Sequence, residues 1–151
     1  GQARLEPSAI AQHWASGHAT AAAAQGASVI LSPAPRVYLD MKYDAATPLG
    51  LAWAGHISVR AAYDWEPATQ LAGVAEAQLL GVEAALWSET LTTLADIEFM
   101  LFPRLPGVAE VGWSAAGRDW EAYRARLAAH GPRLSAMGIN YYRAAEIDWS
   151  P

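Results

Sequence analysis

Hydrophobic positions along the first third of the chain predict a strand, a helix and a second strand. The apolar run Ser28–Leu31 lies between Gly26 and the dipeptide Ser32-Pro33, which is typical of a buried strand. The alanine-rich residues 18–25 predict a short helix before it, and residues 10–14 are a weaker strand candidate. A long irregular stretch, rich in Pro, Gly and aromatic side chains, follows at residues 33–67.

The second half begins with a predicted strand and continues as helices. Residues 78–89 alternate with a period of two, so Val82 and Leu86 share one face and Glu83 and Trp87 the other. Residues 96–102 have helical spacing. Asp119 is a good N-cap for a helix to His130, where Gly131-Pro132 is expected to break it before a further short helix over residues 132–137. The aromatic tail, residues 139–149, is expected to lie along the body of the protein.

The alternation of strands and helices predicts an α/β fold with a parallel sheet. Functional side chains of such folds lie in the loops after the carboxyl ends of the strands. Residues 33–67 follow one strand, and Trp87 and Glu89 end another. Both segments are therefore expected to open on the same side of the sheet.

Composition narrows the classes of protein further. The 151 residues fit one domain, and 53% hydrophobic residues can fill a core. A net charge of −5 argues against nucleic acid as a partner, and no apolar run is long enough to predict a membrane span. No basic-then-apolar leader opens the sequence. Cysteine is absent, which excludes disulfides and thiol nucleophiles and leaves the compartment open, with secretion as one option.

Two pairs of polar and aromatic residues are candidates for a binding site. The chain has seven Trp and six Tyr but two Phe, which suits either a sugar pocket or an ordinary core. Trp87 with Glu89 pairs an aromatic face with a carboxylate, although a core Trp beside a capping Glu has the same spacing. Tyr38 with Asp40 offers a phenol and a carboxylate, although an Asp after a Pro-rich segment commonly caps a turn.

The remaining candidates are less determined by the sequence. Trp14 ends a candidate strand and Trp53 lies between two glycines, whereas Trp65 is expected to pack in the core. The four His residues lack metal-ligand spacing, and neither a nucleophile elbow nor a phosphate loop occurs. We therefore expect no metal and no cofactor.

An ordered set of motifs resembles one family, the bacterial β-N-acetylhexosaminidases of glycoside hydrolase family 20. The resemblance extends from about Gln12 to Trp149, and its specificity lies in the order of the motifs. They are Val29-Ile30-Leu31-Ser32-Pro33, Val37-Tyr38-Leu39-Asp40, Thr47-Pro48-Leu49-Gly50-Leu51, Trp53-Ala54-Gly55, Tyr63-Asp64-Trp65-Glu66-Pro67, Gly81-Val82-Glu83-Ala84-Ala85-Leu86-Trp87-Ser88-Glu89, Phe102-Pro103-Arg104-Leu105 and Ala109-Glu110-Val111-Gly112-Trp113-Ser114.

The resemblance implies a fold in which this chain is one part of a larger barrel. The family's catalytic domain is a (β/α)8 TIM barrel, and residues 1–151 would supply its last three strand–helix units as an incomplete domain. Residues 12–14 would end the sixth strand, residues 29–31 would form the seventh and residues 82–87 the eighth. The family's acid/base pair is an adjacent Asp-Glu, and no Asp-Glu dipeptide occurs in this chain. The resemblance therefore implies that the chain alone lacks the hydrolytic acid.

The resemblance also implies a role for each candidate side chain. The substrate's own 2-acetamido oxygen attacks the anomeric carbon in this family, an exception to the two-carboxylate scheme. Tyr38 would orient the acetamido group, while Trp14 and Trp87 would enclose its methyl. Asp40, Trp53 and Glu89 would bind sugar hydroxyls.

Two functions from different classes remain open from the sequence. The chain is part of a hexosaminidase acting on terminal N-acetylglucosamine or N-acetylgalactosamine, or it is a non-catalytic carbohydrate-binding or partner-docking fragment. Three barrel strands leave open edges, so the expected partner is the missing N-terminal part of the barrel or a second copy of the chain.

Overall fold

The centre of the fold is a parallel sheet, as the sequence predicts. The computed structural model describes residues 4–6, 8–15 and 17–149. Within them, β1 (Ile10–His13), β2 (Ser28–Leu31) and β3 (Leu79–Val82) form one sheet in the order β1-β2-β3. Val29 and Leu31 of the central strand are fully buried, because a strand with neighbours on both edges and helices beside it has little access to water.

Helices cover the sheet and the long segment that follows β2. Among the described residues these are α1 (His18–Ala23), α2 (Ala34–Val37), α3 (Val59–Tyr63), α4 (Leu94–Leu101), α5 (Arg104–Trp113) and α6 (Trp120–Ala136). The helices predicted at residues 18–25 and 96–102 are confirmed as α1 and α4. Side chains of Ser58, Thr93 and Asp119 accept hydrogen bonds from the first turns of α3, α4 and α6, which confirms Asp119 as an N-cap.

Helix α5 has no counterpart in the sequence prediction. Its residues include Pro106, Gly107 and Gly112, all of which lower the intrinsic helix propensity. Pro106 is tolerated because it lies in the first turn, where its missing N–H has no intrahelical partner to bind. Gly107 allows the hydroxyl of Tyr123 to approach closely, since a Cβ there would lie 2.9 Å from that oxygen. Packing against α3 and α6 therefore determines this helix more than propensity does.

The predicted helix break at Gly131-Pro132 is wrong. Helix α6 continues through both residues to Ala136, and Gly138, with a φ of +73°, follows its end. Pro132 removes one main-chain donor, but the last turns are held by the tail, because the ring of Trp149 lies against Gly131. Tyr141, Ala144 and Ile147 are buried, which confirms that the tail lies along the body.

The strand predicted over residues 78–89 is shorter than expected. β3 ends at Val82, so residues 82–87 are largely outside the regular strand. Gly81, with a φ of +148°, lies at an irregularity of the β2–β3 register. Because β2 ends at Leu31, the chain beyond Glu83 then pairs with the segment after α2. The Leu39 N–H donates to the Ala85 carbonyl (2.7 Å).

Candidate active site

Four aromatic side chains meet beyond the carboxyl ends of the strands. We call Trp14, Tyr38, Trp53 and Trp87 the aromatic cluster. The ring centroid of Trp53 lies 6.2 Å from that of Trp14 and 5.8 Å from that of Tyr38. The ring centroids of Tyr38 and Trp87 are 6.2 Å apart. These separations are typical of packed aromatic pairs. The structure thus confirms that residues 33–67 and the segment containing Trp87 open on the same side of the sheet.

Main-chain hydrogen bonds between neighbouring segments position this cluster. Trp14 directly follows β1, and its carbonyl accepts from Ala34 N–H at the start of α2 (2.9 Å). Tyr38 follows the end of α2 and forms an isolated parallel bridge with Ala85, two residues before Trp87. Trp53 lies in the loop between Met41 and Ile57. The cluster therefore combines residues from three different segments of the chain.

The cluster remains open to solvent on one side. The exposed fractions of Trp14, Trp53 and Trp87 are 48%, 56% and 52%, whereas Tyr38 is 6% exposed. Half-exposed tryptophan faces beside a buried phenol form a surface on which a flat, partly apolar ring can stack. Within the described residues, Trp87 is therefore not enclosed as a core side chain would be.

Asp40 is a buried carboxylate to which no side chain among the described residues donates a hydrogen bond. It is 2% exposed, and neither carboxylate oxygen has a hydrogen bond of normal geometry to another described residue. It therefore does not cap a turn. Burial raises the pKa of Asp40, as does the charge of Glu89, while the main-chain N–H groups of Asp40 and Trp87 and the charge of Arg104 act in the opposite direction. Buried acceptors are normally satisfied, and no side chain among the described residues satisfies this one.

Tyr38 keeps its phenol proton over the whole physiological pH range. Burial raises the pKa of its phenol, and the charges of Asp40 and Glu83 act in the same direction, against the opposing effect of the Trp87 side chain. The protonated phenol is the form that can donate to a carbonyl oxygen.

Glu89 and Trp65 differ in their surroundings. Glu89 is exposed, and it lies near enough to Asp40 for its charge to affect that carboxyl. Trp65 is buried, and its indole N–H donates to the Ala62 carbonyl (3.0 Å), which confirms the prediction that it packs in the core.

Two polar features near the cluster were not assigned by the sequence analysis. Gln12 donates through its amide nitrogen to Ser32 Oγ (3.1 Å) and to Glu83 Oε1, linking the ends of all three strands. The second feature is Arg104, whose side chain is fully buried and donates to main-chain carbonyls on both sides of Asp40. A basic residue inside the apolar run of residues 100–106 is the sequence signal that could have indicated it.

Metal and membrane features are absent from the part of the chain that the structure describes. Within residues 4–6, 8–15 and 17–149, no cluster of three or more His, Asp or Glu side chains could hold a metal ion. In the same residues, no helix is long and apolar enough to cross a membrane.

Comparisons with known proteins agree with this geometry. Residues 1–116 match the family model described as "Glycosyl hydrolase family 20, catalytic domain". The chain is 49% identical to a β-N-acetylhexosaminidase of Cellulomonas fimi, over 96% of this chain and 30% of that protein. It is 34% identical to a chitooligosaccharidolytic β-N-acetylglucosaminidase of Ostrinia furnacalis, over 76% of this chain and 19% of that protein.

A solved structure gives the same result in three dimensions. The N-acetyl-β-hexosaminidase of Streptomyces plicatus, in complex with Thio-NAglucal, superposes with a TM-score of 0.89 at 47% identity. The match covers 93% of this chain and 30% of that one. The chain thus spans about 30% of the length of these two bacterial relatives. With a matching family model over more than half of its residues, a relative at 49% identity and a shared backbone, the chain belongs to glycosyl hydrolase family 20.

Proposed function

We propose that this segment forms part of the sugar-binding pocket of a β-N-acetylhexosaminidase. The enzyme would remove terminal, non-reducing N-acetylglucosamine or N-acetylgalactosamine by substrate-assisted, retaining hydrolysis. The observation that carries the proposal is Asp40, a buried carboxylate to which no described side chain donates, beside half-exposed tryptophan rings. A sugar has hydroxyls for such an acceptor and C–H faces for the rings.

Each side chain has a defined role in this mechanism. Tyr38 donates its phenol proton to the substrate's acetamido carbonyl and so orients the internal nucleophile for attack on the anomeric carbon. Orientation of this kind lowers the barrier because the reacting groups no longer have to find each other. Trp14 and Trp87 enclose the acetamido methyl. Asp40, Glu89 and Trp53 bind the sugar hydroxyls and fix the ring in place.

The general acid belongs to a part of the catalytic domain outside these residues. The sequence contains no adjacent Asp-Glu pair, which is the acid/base arrangement that the resemblance implies. In the proposed architecture, β1, β2 and β3 are the sixth, seventh and eighth strands of a (β/α)8 barrel. The parallel order β1-β2-β3 supports this assignment. The outer edges of β1 and β3, unpaired within the described residues, would then join the remaining strands.

Substrate discrimination tests the proposal directly in the complete gene product. An aryl N-acetylglucosaminide should be hydrolysed, and the matched aryl glucoside should not, because the glucoside lacks the acetamido nucleophile. Equal hydrolysis of both substrates would contradict substrate assistance.

Sugar binding is tested by quenching of tryptophan fluorescence with N-acetylglucosamine. Asp40→Asn should weaken binding about 10–100-fold, as expected for loss of a charged acceptor. The matched control is Asp44→Asn, because Asp44 accepts from Thr47 and Tyr142 outside the aromatic cluster. Unchanged affinity in Asp40→Asn would contradict the proposed pocket.

A non-catalytic carbohydrate-binding or partner-docking role is the alternative, favoured by the absence of an Asp-Glu pair. Binding of N-acetylglucosamine by the complete gene product without turnover of any aryl substrate would support it.

For the 151 residues expressed alone we expect no hydrolysis, since general acid–base catalysis contributes about 10²–10⁴-fold. We also expect self-association or binding to the remaining barrel. A stable, cooperatively melting monomer in light scattering would contradict this expectation.

A further inference from the structure

Arg104 is a fully buried cation at the first position of α5. Its Nη2 donates to the carbonyls of Leu39 (2.6 Å) and Met100 (2.9 Å), and its Nη1 donates to those of Met41 (2.8 Å) and Ile57 (3.0 Å). The guanidinium also lies over the ring of Tyr43, 3.8 Å from its centroid. The planar fork of donors thus ties together three segments that are distant in sequence.

A buried guanidinium does not stabilise a core by its volume alone. Burying a charge is unfavourable unless hydrogen bonds compensate, and an apolar side chain of similar volume is often equally stabilising. The positions of its hydrogen-bond partners therefore indicate which part of the structure Arg104 holds in place. Two of them, the carbonyls of Leu39 and Met41, flank Asp40 directly.

The remaining contacts of Asp40 fix the same short segment from another side. Its own carbonyl accepts from Leu51 N–H (2.9 Å). Gly50 also packs against that carbonyl, since a Cβ there would lie 2.5 Å from the oxygen, and its φ of +90° favours glycine. No side chain among the described residues donates a hydrogen bond to the Asp40 carboxylate, and the main-chain N–H groups of Asp40 and Trp87 lower its pKa, so its direction depends on how the main chain is held.

We propose that Arg104 is a positioning residue, which holds the main chain around Asp40 so that the carboxylate points into the sugar pocket. The inference rests on the proposed function, because it assigns Asp40 to the binding of a sugar hydroxyl. It adds a residue that does not touch the sugar and acts through Asp40.

The test is a double-mutant cycle in the complete gene product with Arg104→Lys, Asp40→Asn and the double variant. Lysine keeps the positive charge but lacks the planar set of N–H donors that binds the four carbonyls. Arg104→Lys should therefore weaken N-acetylglucosamine binding about tenfold. In the double variant the affinity should lie within about twofold of that of Asp40→Asn, because residues that act through one another are not additive.

Kinetics separate positioning from general destabilisation. A displaced Asp40 should raise KM more than it lowers kcat, since binding to the ground and transition states is lost alike. A merely structural defect would reduce the folded fraction, lowering the apparent kcat at unchanged KM. Arg118→Lys is the matched control, because Arg118 is also largely buried but donates to the Trp65 carbonyl and to Glu66. Its KM should not change.

The outcomes distinguish this inference from the proposed function. Unchanged affinity in Asp40→Asn would overturn both. Weakened affinity in Asp40→Asn with unchanged affinity in Arg104→Lys, or multiplicative losses in the double variant, would overturn the inference alone. If Arg104→Lys does not fold, Tyr43→Leu removes the ring beneath the guanidinium. It should give a smaller loss with the same non-additivity toward Asp40→Asn, and additive losses would again overturn the inference.

Discussion

The same types of aromatic residue form two regions with opposite properties. The aromatic cluster holds three tryptophans that are about half exposed, around a buried Tyr38. We call Tyr63, Trp65, Trp120 and Tyr123 the core aromatics. In the core aromatics both tryptophans are less than 10% exposed, and Tyr63 and Tyr123 stack with their centroids 4.1 Å apart. Composition gives one surplus of Trp and Tyr, but the fold places some of these residues in an open cluster and others in a packed interior.

Polar partners separate the two regions further. In the core aromatics, Tyr63 donates to Glu110 Oε1 (2.8 Å) and Trp65 to the Ala62 carbonyl. Beside the aromatic cluster, no side chain among the described residues donates a hydrogen bond to the carboxylate of Asp40. The buried hydroxyl of Tyr123 in the core aromatics also lacks a partner, so Asp40 is set apart by its place beside the half-exposed rings of the aromatic cluster. Substitutions in the core should therefore change stability, and those in the cluster should change sugar binding. The predictions below refer to the complete gene product.

The largest effect is expected when a tryptophan is truncated in each region. Trp120→Ala should lower the free energy of unfolding by about 3–5 kcal/mol, because it leaves a cavity beside Tyr63 and Tyr123. Trp87→Ala should change it by less than about 1 kcal/mol, as at a surface position, but weaken binding of N-acetylglucosamine. Denaturation followed by circular dichroism measures both. A Trp87→Ala loss as large as that of Trp120→Ala would remove the distinction between the regions.

Glu89→Gln should lower kcat/KM about 10–100-fold, because a charged acceptor for sugar hydroxyls is lost. The acid limb of the pH–rate profile should remain, since the titrating acid lies elsewhere. Loss of that limb in a folded Glu89→Gln variant would instead make Glu89 the general acid or base. Glu121→Gln is a suitable control, because this exposed carboxylate pairs with Arg124 on α6.

A Tyr→Phe substitution in each region removes one hydroxyl group, so the two variants compare what a single hydrogen bond contributes to activity and to stability. Tyr38→Phe should lower kcat/KM about tenfold or more with little change in stability, because the acetamido group loses its donor. Tyr63→Phe should leave kcat/KM unchanged and cost about 1 kcal/mol of stability, because Glu110 loses a partner. Steady-state kinetics and thermal melts decide the comparison, and the opposite assignment of effects would contradict it.

The smallest effect is expected for stability at Asp40. Its pKa is raised in the folded protein, so the folded state holds the proton more tightly and stability falls as pH rises through the ordinary carboxyl range. Asp40→Asn should therefore melt at a slightly higher temperature than the unmodified protein at pH 7, while binding sugar more weakly. The difference should vanish below about pH 3, where the carboxyl is protonated in both states. Melting temperatures measured from pH 3 to 7 test this, and destabilisation at pH 7 would contradict it.

Local patterns in the sequence determined the elements whose stability is itself local. The alanine-rich helix α1, the apolar strand β2 and the N-cap Asp119 follow from propensity, burial period and capping chemistry. The pairs Tyr38/Asp40 and Trp87/Glu89 were predicted from their spacing as a binding site, which stays a prediction, while the side of the sheet to which they belong is confirmed. The order of the motifs then identified the family. Each element and each pair depends on residues close together in the chain, and the family follows from the order of such short segments.

Tertiary structure decided what depends on contacts between distant residues. Helix α6 crosses Gly131-Pro132 because the ring of Trp149 packs there, and the predicted strand at residues 78–89 ends early because its partner β2 ends at Leu31. Whether a tryptophan faces solvent or the core is likewise invisible to local spacing. The four carbonyls that hold the guanidinium of Arg104 come from residues 4 to 65 positions away. Sequence thus determines which side chains are available, while packing between distant segments fixes where each one points and which of them remain without a partner.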